Sequence, residues 1–221
     1  MKWEIVQGPA YAMLKINLNP GESVTAEAGA FVAGKGDYEV KTHTGGGILT
    51  ALARRLAGGE SIFLNTFIAR TPTELWFAPS LPGDIKYLEL DGELIVQDMS
   101  FLVSHGDTRL TVAWKGFKGL LAEGELVWLK VTGRGGVWVN SYGAIETIEL
   151  RPGESMILDN FHFVAMDSSI DYKIRKFGGW KSFFLGGEGV VAELYGPGRV
   201  LVQTRSLPPL AATIAKLIGR G

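Results

Sequence analysis

The chain has 221 residues, 46% of them hydrophobic, and a formal net charge of −1. That suits one large β domain or two ordinary ones, and the near-neutral balance argues against a general nucleic-acid binder, which carries a basic footprint. Cysteine is absent, which excludes disulfides, thiolate metal sites and cysteine nucleophiles together.

The opening Met1-Lys2-Trp3-Glu4-Ile5-Val6 reads as a strand and lacks an apolar signal region. No stretch approaches the ~18 uninterrupted apolar residues of a membrane span. A soluble, cytoplasmic protein is the expectation. Leu14, Ile16 and Leu18 then alternate with Lys15 and Asn17, the pattern of a strand with one buried and one wet face. Pro20-Gly21 predicts a type II turn, and the next strand runs to Phe31-Val32-Ala33. A connector with Gly45-Gly46-Gly47 and a short helix near Ile48–Ala57 follows. Glu60–Arg70 and Leu75–Ala78 then predict a hairpin around Pro72.

The same order recurs twice. Leu88 and Leu90 flank Glu89, Asp91-Gly92 predicts a type I′ hairpin, and Phe101-Leu102-Val103 is the second apolar patch. His105-Gly106-Asp107 reads as a turn, and Glu125–Val131 with Val137–Asn140 as a hairpin around Gly133-Arg134-Gly135-Gly136. In the third stretch Ile148 and Leu150 flank Glu149, Pro152-Gly153 is the turn, and Phe163-Val164-Ala165 the patch. Ile170–Arg175 is a strand, and Glu188–Leu194 with Val200–Gln203 a hairpin around Gly196-Pro197-Gly198. A C-terminal helix is predicted from near Pro208-Pro209 to Gly219, with Leu210, Ile214, Leu217 and Ile218 on one face that would pack on the protein's own sheet.

Two Gly-Glu signatures mark the recurrence: Gly21-Glu22, Gly92-Glu93 and Gly153-Glu154, then Gly59-Glu60, Gly124-Glu125 and Gly187-Glu188. Their spacing of roughly 60–70 residues is that of a repeat architecture. The expected fold is all-β: three tandem repeats of about four antiparallel strands, around a pseudo-threefold axis. The repeats span approximately residues 11–80, 81–140 and 141–206 of one domain, and residues 207–221 hold the helix.

The chain also resembles the "altered inheritance of mitochondria" family. The residues that carry the resemblance are Gly45-Gly46-Gly47, Leu56-Ala57-Gly58-Gly59-Glu60 and the Gly133–Tyr142 segment with its Val-Trp-Val-Asn-Ser. The closing Gly196-Pro197-Gly198 and Val202-Gln203-Thr204-Arg205 add to it. The resemblance implies a β fold related to the tryptophan RNA-binding attenuation protein, built as three repeats. Eukaryotic relatives are mitochondrial and support inner-membrane organisation, prokaryotic relatives have no settled activity, and no catalytic residue carries over. This chain shows no mitochondrial presequence, so that location is not transferred.

No constellation for catalysis assembles. His43, His105 and His162 fall at different places in their units, so threefold symmetry would not bring them together. Glu22, Glu93 and Glu154 are equivalent, and so are Glu60, Glu125 and Glu188; either set would converge on a hard cation or simply start strands facing water. No Gly-x-Ser-x-Gly elbow is present, and Gly133-Arg134-Gly135-Gly136 lies between strands, not at a helix start. The expectation is a non-enzymatic protein with no cofactor and no metal.

The three connectors carry the candidate interaction surface: Arg54 and Arg55; Phe117, Lys118 and Leu120; Trp180, Lys181, Phe183 and Phe184. Apolar and aromatic groups flanked by cations suit an anionic membrane surface or single-stranded nucleic acid, or else they cap the barrel end or pack between subunits. The sequence therefore predicts a binding or scaffold protein, homo-oligomeric, with peripheral membrane contact and an unknown ligand. An RNA- or small-ligand-binding regulator is the alternative, by fold analogy, and nucleic acid is disfavoured by the charge.

Overall fold

The computed structural model describes residues 1–44, 63–115, 127–176 and 190–219. These form sixteen strands, two 3-10 turns and one helix. The first strands are β1 (Lys2–Val6), β2 (Met13–Leu18), β3 (Ser23–Glu27), β4 (Phe31–Lys35), β5 (Tyr38–Thr44), β6 (Phe63–Ala69) and β7 (Thr73–Phe77). Three long strands follow: β8 (Ile85–Gln97), β9 (Phe101–Lys115) and β10 (Val127–Asn140). The last are β11 (Ile145–Leu150), β12 (Ser155–Asp159), β13 (Phe163–Asp167), β14 (Asp171–Lys176), β15 (Val190–Tyr195) and β16 (Gly198–Gln203), then helix α1 (Leu207–Ile218). The 3-10 turns, Asp98–Ser100 and Asn160–His162, introduce β9 and β13.

The alternating strands behave as their pattern demands. Leu14, Ile16 and Leu18 of β2 point into a core with Leu75, Phe77 and Trp138. Leu90, Val96, Phe101, Leu129 and Val139 fill the middle of the molecule. Trp128, Phe163, Leu194 and Val200 fill the far part, where Trp128 and Phe163 stack at 4.1 Å between ring centroids. Apolar burial of this kind stabilises by roughly 25 cal/mol per Å² removed from water.

The expected hairpins are not hairpins. β6 pairs with β3 and β5, whereas β7 pairs with β2 and β4. In the same way β15 pairs with β12 and β14, and β16 with β11 and β13. Each turn carries the chain round a corner from one sheet into another. A Gly/Pro turn between two alternating runs looks the same in sequence whether the runs pair or part, which is why the pattern misled. The Pro-Gly turns themselves form as predicted: Gly21 (φ +86°) and Gly153 (φ +83°) take the left-handed position that a type II turn requires.

In the middle of the chain even the corners vanish. Asp91-Gly92, His105-Gly106-Asp107 and Gly133–Gly136 were predicted turns, but they lie inside β8, β9 and β10. The three strands pair continuously, with Gly133 opposite Gly92 and Gly135 opposite Gly106. All four glycines have positive φ. A Cβ on Gly133 would strike the Asp107 carbonyl, and one on Gly135 the His105 carbonyl. Glycine thus lets the backbones bend at close approach without breaking the ladder. About twelve strands were expected and sixteen form among the described residues.

The sheets are antiparallel throughout: a four-stranded one (β1-β2-β7-β4), a nine-stranded one (β11-β16-β13-β8-β10-β9-β3-β6-β5) and a three-stranded one (β12-β15-β14). Helix α1 begins and ends where predicted, with Gly219 as its C-cap. No residue of α1 is buried, and Ile214, Leu217 and Ile218 of its apolar face are exposed.

Candidate functional site

The predicted interaction residues Arg54, Arg55, Phe117, Lys118, Leu120, Trp180, Lys181, Phe183 and Phe184, and the helix near Ile48–Ala57, lie outside the described residues. The residues that flank them are described. The connectors leave and re-enter at the paired ends Thr44/Phe63, Lys115/Val127 and Lys176/Val190. Beside these ends sit the last residues of three other strands: Glu27 opposite Leu64, Gln97 opposite Trp128, and Asp159 opposite Val191.

Two of those ends carry interacting carboxylates. Glu27 is partly buried, and that burial, with the Asp98 charge nearby, pushes its carboxyl up to about 7. Asp98 is pushed up to about 6 by burial, against the pull of backbone N–H groups from Met99, Val127 and its own residue. The Met99 N–H donates to Asp98 Oδ1 at 2.9 Å. Val127 is the first described residue after the second connector, so Asp98 holds that re-entry point directly.

Next to this pair a small cleft opens between the two 3-10 turns and the start of α1. Its polar wall consists of Gln97, Ser100, Asn140 and Gln203, all buried, and its apolar wall includes Met99, Phe161 and Leu207. Gln203 is held at both ends of its amide: its Oε1 accepts from the Tyr142 N–H at 2.8 Å, and its Nε2 donates to the Phe161 carbonyl at 2.7 Å. Gln97 receives one long hydrogen bond, from Ser100 Oγ at 3.4 Å. The Asn140 amide makes no hydrogen bond among the described residues, although only 7% of the residue is exposed. Asn140 lines the cleft, and its side-chain amide is not among the polar atoms buried without a partner. None of these carboxamides stands out in the sequence beyond a polar residue ending an apolar run.

The histidines and turn glutamates find local partners. His105 Nε2 shares a hydrogen bond with the Tyr87 hydroxyl at 3.1 Å, in a ring cluster with Trp138, and Trp3 lies tilted against Tyr87 and edge-to-face against Trp138. Burial, then the N-terminal amine, lowers the His105 pKa. His162 lies in a 3-10 turn, and its Nδ1–H donates to the Gln203 carbonyl at 2.6 Å. The side chain of His43 is not among those described. Glu22 and Glu154 each accept the N–H at the start of their own turn, from Asn19 and Arg151 at 2.7 Å, and Glu93 pairs with Lys130 at 2.8 Å. Glu60, Glu125 and Glu188 lie outside the described residues. Among the described residues no group of three or more His, Asp or Glu side chains is placed to hold a metal ion, and no helix is long and apolar enough to cross a membrane.

Comparison with known proteins gives a consistent result. A family model described as "Mitochondrial biogenesis AIM24" matches residues 3–205. An uncharacterised protein of Streptococcus pyogenes serotype M6 is 27% identical over 227 residues, covering 99% of this chain and 91% of that one. The crystal structure of the Streptococcus pyogenes protein SPYM3_0169 superposes with a TM-score of 0.82 at 29% identity, over 98% of this chain and 99% of that chain.

Proposed function

This chain belongs to the AIM24 mitochondrial-biogenesis family, and on that premise we propose that it is a non-enzymatic binding or scaffold protein. It acts in the cytoplasm as a homo-oligomer and touches an anionic membrane surface with the end that bears the connectors and α1. We read its architecture as three repeats about a pseudo-threefold axis, like the tryptophan RNA-binding attenuation protein. The shared pairing scheme supports that reading: β2-β7-β4 with β3-β6-β5, β11-β16-β13 with β12-β15-β14, and the halves of β8, β10 and β9 in the same roles.

The observation that carries the membrane reading is helix α1. Leu217 and Ile218 are 71% and 75% exposed, next to Lys216, and the helix holds no acidic residue. An exposed apolar stripe with a cation is what an anionic lipid interface accepts. Flotation with anionic vesicles at low salt tests this: the full chain should float, and Leu217→Glu/Ile218→Glu should not. Failure of the full chain to float removes the membrane part.

A small-ligand regulator is the second reading, and the Asn140 amide facing the cleft favours it. RNA binding is weakened by the net charge of −1. A filter-binding assay with mixed RNA at low salt tests it, and no retention ends it.

A further inference from the structure

The same carboxamide position occurs at two strand ends in this molecule, and a hydrogen bond closes one of them and not the other. Gln203 is the last residue of β16 and lies opposite Ile145, the first of β11. Asn140 is the last residue of β10 and lies opposite Ile85, the first of β8. The neighbouring strand starts correspond as well: Phe163 of β13 lies opposite Val202, and Phe101 of β9 opposite Val139. Phe161 and Met99, the middle residues of the 3-10 turns that introduce those strands, therefore hold the same place. Gln203 Nε2 reaches the Phe161 carbonyl at 2.7 Å. Asn140 is shorter by a methylene, and its amide makes no hydrogen bond to the Met99 carbonyl or to any other described residue.

The gap this leaves belongs to the cleft between the turns. Its volume is about 30 Å³, room for roughly two waters or a single carboxamide group. Asn140 and Gln97, 7% and 2% exposed, both line it, and the Gln97 amide has only the long bond from Ser100 Oγ at 3.4 Å. No charged side chain lines the cleft among the described residues, so an ionised group would enter it without a counter-charge. An apolar group would take water from Asn140 and Gln97 and return no hydrogen bond. A carboxamide both donates and accepts in one plane, as the two wall carboxamides do. Met99, 46% exposed, and Phe161 offer apolar surface beside them.

We propose that this cleft binds the primary carboxamide of a small neutral molecule, with Asn140 and Gln97 as its hydrogen-bond partners and the rest of the ligand against Met99 and Phe161. Gln203 is wall and not partner, because its amide already holds the Tyr142 N–H and the Phe161 carbonyl. The residue that keeps the cleft open is Asn140. A glutamine there would reach the Met99 carbonyl as Gln203 reaches that of Phe161, and would fill the space the ligand needs. The inference rests on the small-ligand reading of the proposed function and supplies the chemistry of that ligand.

Benzamide is the probe, with benzoate and N,N-dimethylbenzamide as controls. Titrated into the isotope-labelled full chain, benzamide should shift the side-chain amide NMR signals of Asn140 and Gln97, and neither control should. Asn140→Ala should keep its circular-dichroism spectrum and bind benzamide at least about tenfold more weakly, the share of one hydrogen bond. Asn140→Gln should melt higher than the wild type without ligand and lose benzamide binding. An Asn140→Gln variant that melts lower, or either variant binding benzamide like the wild type, overturns the inference. Benzoate or N,N-dimethylbenzamide shifting the same signals also overturns it, but spares a small-ligand site of other chemistry. No shift from benzamide overturns it too, and no shift from a broad set of neutral and charged fragments removes the small-ligand reading with it.

Discussion

Replacing Glu27 by glutamine tests the electrostatics of the connector end. The folded protein holds the Glu27 proton up to about pH 7, against a reference value of 4.5. A carboxyl raised on folding contributes its full stability below the unfolded value, and loses it as pH rises through the folded value. The difference of 2.5 between those two values corresponds to at most about 3 kcal/mol, at 1.36 kcal/mol for each. Glu27→Gln should therefore match the wild type at pH 4.5 and exceed its unfolding free energy by up to about 3 kcal/mol at pH 8. In a domain of this length that is a rise in Tm of roughly 6–12 °C. Urea titrations of both proteins at the two pH values give the comparison. An equal difference at both pH values would refute the reasoning, because a packing effect does not follow the proton.

The glycine bends and the buried tryptophan give sharper structural tests. Gly133→Ala places a Cβ against the Asp107 carbonyl at φ +125°, whereas at Gly92 (φ +119°) nothing lies within 4 Å. Both incur backbone strain of order 1–3 kcal/mol, and Gly133→Ala should lower Tm clearly more than Gly92→Ala. Trp128→Phe removes the buried bond from Nε1 to Asn160 Oδ1 (3.0 Å), beside an Asn160 Nδ2 that already lacks a partner. It should cost about 1–3 kcal/mol in urea unfolding, and a loss below a few tenths would contradict this account.

Much of the fold is legible in the residues because its local rules are strict. Leu14-Lys15-Ile16-Asn17-Leu18 can bury only one face, and Pro20-Gly21 and Pro152-Gly153 can make few turns. Pairing is less legible. Whether Leu194 and Val200 belong to one sheet or two depends on what lies over each face, and nothing local to Gly196-Pro197-Gly198 records that. The mid-strand glycines mislead for the same reason: a bend inside a ladder and a turn ending one need the same permissive residue. At the candidate site, the turn glutamates attracted notice because they repeat, yet Glu22 and Glu154 serve their own turns. Glu27 and Asp98 matter through their neighbours across the sheet, which only the folded chain brings together.

The line of glycines through β8, β9 and β10 has a consequence for how the molecule comes apart. At either end of the chain a turn separates one sheet from the next, so a layer there can lose its ladder while its neighbour keeps its own. In the middle, one unbroken set of backbone hydrogen bonds runs through both layers from Ile85 to Gln97 along its partner strand. Opening either layer must pull on the other. The central strands should therefore exchange their amide hydrogens last and together, as the unit whose opening is the unfolding of the whole protein.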